Sequence, residues 1–378
     1  MTDHPAPEIF AERSRSTNKP LTQRDLIVRR FNRHRVARVC LWILGGFLLL
    51  AVFAEFLAPN APTQQFRGRS HVPPRKIHFF DSEGRFQLQP FMYGYEESLD
   101  METFQRTWAE VETERYPIRF LARGFEYKLL GLFPTDVHLF GIAQDAPPLV
   151  LFGTDNLGRD VFSRTIYATR TSLSIAVLGV AISIFLGILI GGVAGYYGGV
   201  MDEVVQRLSE VVLSVPTLPL WMGLAAAIPA DWPITRVYVA LVVIISFISW
   251  PGMARGIRSK LISLRQEDYV KAATSYAASD ARIIFRHLVP NFASYVIVSI
   301  TLAIPGMILT ETALSFLGLG LRSPAVSWGV QLQEAQNFQT VLLYPWLLIP
   351  GTFVVLCILA LSFVGDGLRD ATDPFEKS

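Results

Sequence analysis

An all-α integral membrane fold with six transmembrane helices is what this sequence predicts, and three observations predict it. Six apolar runs, residues 39–57, 173–196, 211–228, 237–250, 295–317 and 343–364, reach or approach the ~20 residues a helix needs to cross ~30 Å of hydrocarbon. Of the 378 residues, 51% are hydrophobic and 17% charged, which suits lipid better than water. Lys and Arg collect beside particular runs, and short basic flanks stay on the cytoplasmic side. A net charge of +2 is far below what nucleic-acid binding demands.

The elements follow in order. Residues 1–38 read as a cytoplasmic tail, with Arg24, Arg29, Arg30, Arg33, Arg35 and Arg38 close to the first run. Helix 1 takes 39–58. The 38 residues before it are too many and too charged for the n-region of a cleaved signal, so the run should remain as an anchor. Residues 59–152 then lie outside as an extracytoplasmic insert, since long translocated segments escape the charge rule. Its stretches at 91–97 (FMYGYEE) and 116–141 hold enough apolar residues to fold against the membrane face. A core of helices 2–6 would occupy 153–366, and 367–378 forms a second cytoplasmic tail.

Within the core, Arg159, Arg164 and Arg170 precede the second run and either anchor an amphipathic segment at the headgroups or contact a ligand. Gly187, Gly191, Gly192 and Gly195 have near small-x-x-x-small spacing, which favours close helix contact. Pro216 and Pro219 break the third run, with Arg207 and Glu210 just before it. The kink is either plain packing or lines a polar path. Glu311 is an acid deep in the fifth run, either bonded locally, at the interface, or on such a path. Asp366 and Arg369 read as interface groups at the end of the last run. Cys40 and Cys357 sit inside apolar runs and read as buried hydrophobes.

The segment 266–290 is the most informative. Arg255, Arg258, Lys260, Arg265, Lys271, Arg282 and Arg286 make it and its approach basic, hence cytoplasmic. Residues 266–276 combine good helix formers with small Ala272, Ala273 and Ser275. Ala277, Ala278, Ser279 and Asp280 read as a turn, Ser279 or Asp280 capping a second helix over 281–288 that Pro290 stops. Two short helices at an angle suit docking into a partner's groove, and an ordinary basic loop is the alternative. The chain has no G-x-x-x-x-G-K-[ST], H-E-x-x-H, G-x-S-x-G or Cys cluster, so energy should come from a partner. An ATP-independent carrier or channel is the rival, and would usually show repeat symmetry and no such loop.

On these residues the loop resembles the inner-membrane permease subunits of ABC importers. Lys271, Ala272, Ala273, Ala277, His287, Val289 and Pro290 fall on the spacing of that family's E-A-A, Gly, I-x-L-P signature, with Ala277 where Gly is usual. Three further segments are similar to the peptide-type branch, the dipeptide and oligopeptide C-subunits: 153–173 (GTDNLGRDVFSRTIYATRTSL), 311–328 (ETALSFLGLGLRSPAVSW) and 365–374 (GDGLRDATDP). The resemblance implies an ATPase-coupling loop with Lys271, Ala272, Ala273, Ala277, Ser279, Asp280, Arg286, His287 and Pro290 at its centre. It implies a homologous second permease, cytoplasmic ATPase subunits that hydrolyse the ATP, and an extracytoplasmic solute-binding protein. It implies no catalytic, metal or cofactor site on this chain. Glu311, Pro216 and Pro219 are the candidates for the pathway. A bacterial inner-membrane location follows, with di- or oligopeptide as the expected cargo and an oligosaccharide or nickel chelate as alternatives. The insert is longer than the resemblance requires and is expected either to dock the binding protein, to lid the entrance, or merely to cap the fold.

Overall fold

The computed structural model describes residues 23–372 apart from 100, 102–105, 130, 144, 277 and 289–291. Helix α1 (Gln23–Arg33) leads into α2 (Arg35–Val52). His34 caps the second helix by accepting from Ala37 N at 3.1 Å, which satisfies one of the free amides of the first turn. Phe31 of α1 packs with Ala37, Cys40, Val364 and Ala371. Part of the basic stretch expected to be a tail is therefore a helix seated on the ends of the first and last spans. The short helix α3 (Ala54–Leu57) extends α2.

Helices account for the spans, but the segment before the second span is β-structured. Strands β1 (His78–Phe80), β2 (Phe86–Leu99) and β3 (Arg106–Pro117) form an antiparallel sheet in that order, and β4 (Arg119–Leu129) pairs antiparallel with β5 (Phe133–Gly141). Aromatic and β-branched residues favour this pleated geometry. Met92, Ile118 and Leu149 make a small core of their own, with Tyr116 and Phe140 packed around it. The Arg75 guanidinium lies 3.9 Å above the Tyr95 ring and donates to Tyr93 O at 3.0 Å. Burial pulls it down to about 10.

Helix α4 (Val161–Tyr197) runs 37 residues, about 55 Å at 1.5 Å per residue. It starts well before the apolar run at 173 because Asp160 caps it, accepting from Phe162 N and Ser163 N at 3.1 and 3.2 Å. Gly198 and Gly199, with φ of +68° and +56°, turn the chain into α5 (Gly199–Ser214), and α6 (Thr217–Ala226) follows. Then come α7 (Ile234–Arg265), α8 (Asp268–Ser275) and α9 (Asp280–Arg282), the last continuing as π-helical turns over Ile283–Leu288. The remaining helices are α10 (Ala293–Phe316), α11 (Trp328–Leu332), α12 (Phe338–Leu343) and α13 (Ile349–Thr372). Five helices among the described residues are long and apolar enough to cross a membrane. The pair α5 and α6, bent by 83° at the break before Thr217, makes a sixth crossing if counted as one.

The α4–α7 seam sets the geometry. A Cβ at Gly187 would come within 2.7 Å of Met253 Cβ, and one at Gly191 within 2.3 Å of Ala254 O. The two backbones touch along this stripe, the close approach that small residues permit. Around the seam the main core gathers Ile175, Val180, Leu241, Ile245, Ile308 and Trp328. Cys40 and Cys357 are both free and buried.

Candidate functional site

Helix α4 has a polar cluster at each end. At one end, Tyr196 OH donates to Asp280 Oδ1 at 2.7 Å, and Arg265 Nη1 donates to Tyr196 O at 2.8 Å. These bonds hold the segment after α7 against the last turn of α4. The segment is seated by Val270, Ile283, Leu288 and Phe292, which pack with Ile257 and Leu261 of α7. Burying those residues turns the polar ones outward. Lys271, Ala272, Ser275, Ser279, Asp280, Arg282 and Arg286 are exposed, Ala273 is half-buried, and Tyr276 is 89% exposed. A depression of about 570 Å³ opens between Tyr196, Tyr197, Arg265, Lys271, Thr274 and Asp280. Ser279 stands at the N-cap of α9 but makes no side-chain cap bond. The backbone of His287 lies in the π-helical turns. Ala277, Val289 and Pro290 lie outside the described residues.

At the other end of α4 the order is inverted, with the charges buried. Asp155 accepts from Leu157 N, Arg159 N and Arg159 Nε at 2.9, 2.8 and 2.6 Å. Arg159 also donates to Ser323 Oγ at 2.9 Å and Glu334 Oε1 at 3.1 Å, and Glu334 Oε2 accepts from Asn156 N at 3.2 Å. Arg164 donates to Pro62 O at 3.0 Å and lies 3.6 Å from Asp155. Asp160, 1% exposed, accepts from Asn60 Nδ2 at 3.0 Å and Ser163 Oγ at 2.5 Å. Burial raises its carboxyl to about 6 against those bonds, and burial also raises Glu334. The turn closes because Gly158, at φ +70°, lets Phe66 O approach to where a Cβ would be only 2.5 Å away.

This arrangement corrects one expectation. Arg159 and Arg164 do not anchor at headgroups: they are 4% and 1% exposed and neutralise Asp155 and Glu334. Arg170 pairs with Glu55 and donates to Ala51 O at 2.7 Å. Buried ions need such partners. Glu334, 175 residues from Arg159 in sequence, carried no local signal. The LGRD letters did mark the cluster, although not what it holds.

Glu311 is 1% exposed and accepts from Ser172 Oγ at 3.0 Å and Ser315 Oγ at 2.9 Å, which ties α10 to α4. Pro216 and Pro219 lie exposed at the 83° break. Arg207 pairs with Glu210 at 3.0 Å on the surface. Asp366 and Arg369 are exposed, while Gly365 and Gly367 between and beside them pack on Leu302 and Ala37.

Comparison with known proteins matches residues 183–377 to the family described as binding-protein-dependent transport system inner membrane component. Residues 22–74 match the N-terminal TM domain of oligopeptide transport permease C. The dipeptide transport system permease protein DppC of Bacillus subtilis is 39% identical over 235 residues, 61% of this chain and 71% of the relative. The oligopeptide transport system permease protein OppC of the same organism is 35% identical over 224 residues, 59% and 71%. OppC of Haemophilus influenzae is 36% identical over 244 residues, 64% and 76%. With its apolar helices, its seated loop and more than half its length inside the family pattern, this chain belongs to the inner-membrane permease components of binding-protein-dependent transport systems.

Proposed function

We propose that this chain is the membrane subunit of a peptide importer, moving di- or oligopeptides that an extracytoplasmic binding protein delivers. It works beside a homologous permease and takes its energy from separate ATPase subunits. The observation that carries the reading is the segment 267–288. Its apolar residues are spent on fixing it to α7, and Lys271, Ala272, Ser275, Tyr276, Arg282 and Arg286 remain for a partner. Small residues among exposed charges admit a close protein approach, and the depression beside Tyr196 would receive a side chain from the ATPase. Named relatives that carry dipeptides and oligopeptides support peptide as cargo.

On this reading the loop face is cytoplasmic, with both chain ends on that side, and the insert is extracytoplasmic. The exposed apolar faces of α5 and α6, with Pro216 and Pro219 at their break, border the path next to the second permease. The β2–β3 ribbon, which exposes Glu96, Glu97, Glu112 and Glu114, contributes to the seat of the binding protein. Replacing residues 96–110 with a short turn and finding uptake intact would remove the ribbon from that role.

The test of the central reading is a pull-down of the tagged protein in mild detergent from cells co-expressing the neighbouring transport genes, with ATP hydrolysis measured in the eluate. Wild type should bring down a hydrolysing partner. Ala272→Glu with Ser275→Glu should lose it while the chain stays folded. Equal ATPase recovery from both would sink the loop assignment, and none from wild type would sink the importer reading.

A further inference from the structure

The β4–β5 hairpin carries an apolar tip that nothing among the described residues covers. Its base is locked to the spans. His138, 1% exposed, has its ring nitrogens 2.9 Å from Glu55 O and 3.1 Å from Phe125 O. Glu55 is in turn held by Arg170 of α4, whose Nη2 donates to Oε2 at 2.7 Å. From His138 the strand runs seven residues to the turn at Gly131, about 23 Å at 3.3 Å per residue. The run goes toward the membrane, because Gly131 shares an open apolar groove of about 740 Å³ with Leu44, Leu48 and Val52 of α2 and Leu173 and Val177 of α4.

Depth follows from helix geometry. Leu48 and Leu44 lie about 6 and 12 Å before Val52, the last residue of α2. Val177 lies 20 residues from Tyr197, about 30 Å, which is one full hydrocarbon thickness. The tip therefore sits at the boundary where the leaflet on the insert side begins. There Leu132 is 73% and Phe133 64% exposed, and Lys128 beside them is exposed as well. Two amides of the turn are met internally: Gly131 N donates to Lys128 O at 2.9 Å and Leu132 N to Leu129 O at 3.1 Å. Internal satisfaction of N–H groups is what low-water surroundings require. The far half of the β2–β3 ribbon, by contrast, exposes Glu96, Glu97 and Arg106.

We propose that the β4–β5 hairpin dips into the insert-side leaflet, its Leu132–Phe133 tip among the acyl chains, Lys128 at the phosphates, and a phospholipid acyl chain in the groove beside Gly131. Apolar tip, cationic shoulder and shallow depth are the physical ingredients of interfacial anchoring. The proposal rests on α2 and α4 crossing the membrane and is independent of cargo and ATPase.

The experiment is nitroxide accessibility on the full chain in phospholipid nanodiscs, with the label at Leu132→Cys and, as control, at Leu88→Cys on β2, where Leu88 is 88% exposed. The native Cys40 and Cys357 are buried, and the unsubstituted chain gives their background. At 132, relaxation by oxygen should exceed that by a water-soluble nickel chelate several-fold, and at 88 the ratio should reverse. A chelate-dominated signal at 132 would overturn the proposal, and so would a label shielded from both reagents, which would mean that protein covers the tip. As a second reading, Phe133→Trp should add emission over wild type that brominated acyl chains quench. Added emission quenched only by aqueous iodide would equally overturn it.

Discussion

The two ends of α4 spend charge in opposite ways. Around Asp155, Arg159, Arg164 and Glu334 the ions are buried and used up on one another. Around Lys271, Asp280 and Arg286 the apolar side chains are buried and the ions stay on the surface, with Lys271 3.5 Å from Asp268. A buried, mutually neutralised cluster acts on the stability of the chain that contains it. A surface of exposed charges on a packed base is available to something outside the chain. On the proposed reading the first end belongs to folding and the second to assembly, although both are rich in Arg and Asp and composition alone does not separate them.

The sharpest way to break this contrast is Arg159→Met. It removes the cation between Asp155 and Glu334, and stripping one partner from a buried pair costs about 3–5 kcal/mol. Thermal unfolding in detergent should show a large loss of stability, and a change under 1 kcal/mol would mean the cluster is not what holds this end. Next comes pH. Because Asp160 is raised from 3.8 to about 6, the folded chain keeps a proton between about pH 4 and 6 that the unfolded chain has released. Stability should fall as pH rises across that window, by at most about 3 kcal/mol. Asp160→Asn should flatten that slope, measured as Tm against pH.

At the loop end, Val270→Ala removes a 2% exposed side chain from the base and should cost about 2 kcal/mol locally. Amide exchange over 268–288 should quicken about thirtyfold while the global Tm holds. An equal loss in both would join the loop to the global folding unit and blur the distinction. Smallest in stability is Tyr276→Ala with Arg286→Ala, expected within about 0.5 kcal/mol of wild type because both are surface groups. Its effect should appear instead in recovery of ATPase activity by pull-down, and unchanged recovery would leave the leftover charges without a role.

The spans were legible because hydropathy over ~20 residues is a strong signal, and so was the glycine seam. The start of α4 was not, since Arg159 and Arg164 look like solvent groups until Asp155 and Glu334 are placed against them. The insert's strands were also hidden. In β3, Glu112, Thr113, Glu114 and Arg115 make no alternation, because this stretch of the ribbon is exposed on both faces and neither face selects for apolar residues. At the loop, local propensity indicated two short helices over 266–276 and 281–288, and the structure has helical turns over 268–275 and 280–288. Propensity did not indicate Tyr196, whose hydroxyl clips Asp280 across 84 residues. Glu311 stood out as an acid in a span, and the serines that bond it come from α4 and from its own helix.

The glycine seam between α4 and α7 has a mechanical consequence. With Ala254 O lodged against Gly191, neither helix can roll or slide on the other without a backbone collision, so the pair behaves as one stiff beam. The beam is about 55 Å long, with the loop's clip at one tip and the ion cluster at the other. A tilt of about 5° around its midpoint swings each tip by about 2.4 Å over that length. Compliance is left to Gly198 and Gly199, where the beam meets α5. On the proposed reading a push on the loop would be transmitted as leverage to the far face, with the hinge outside the beam.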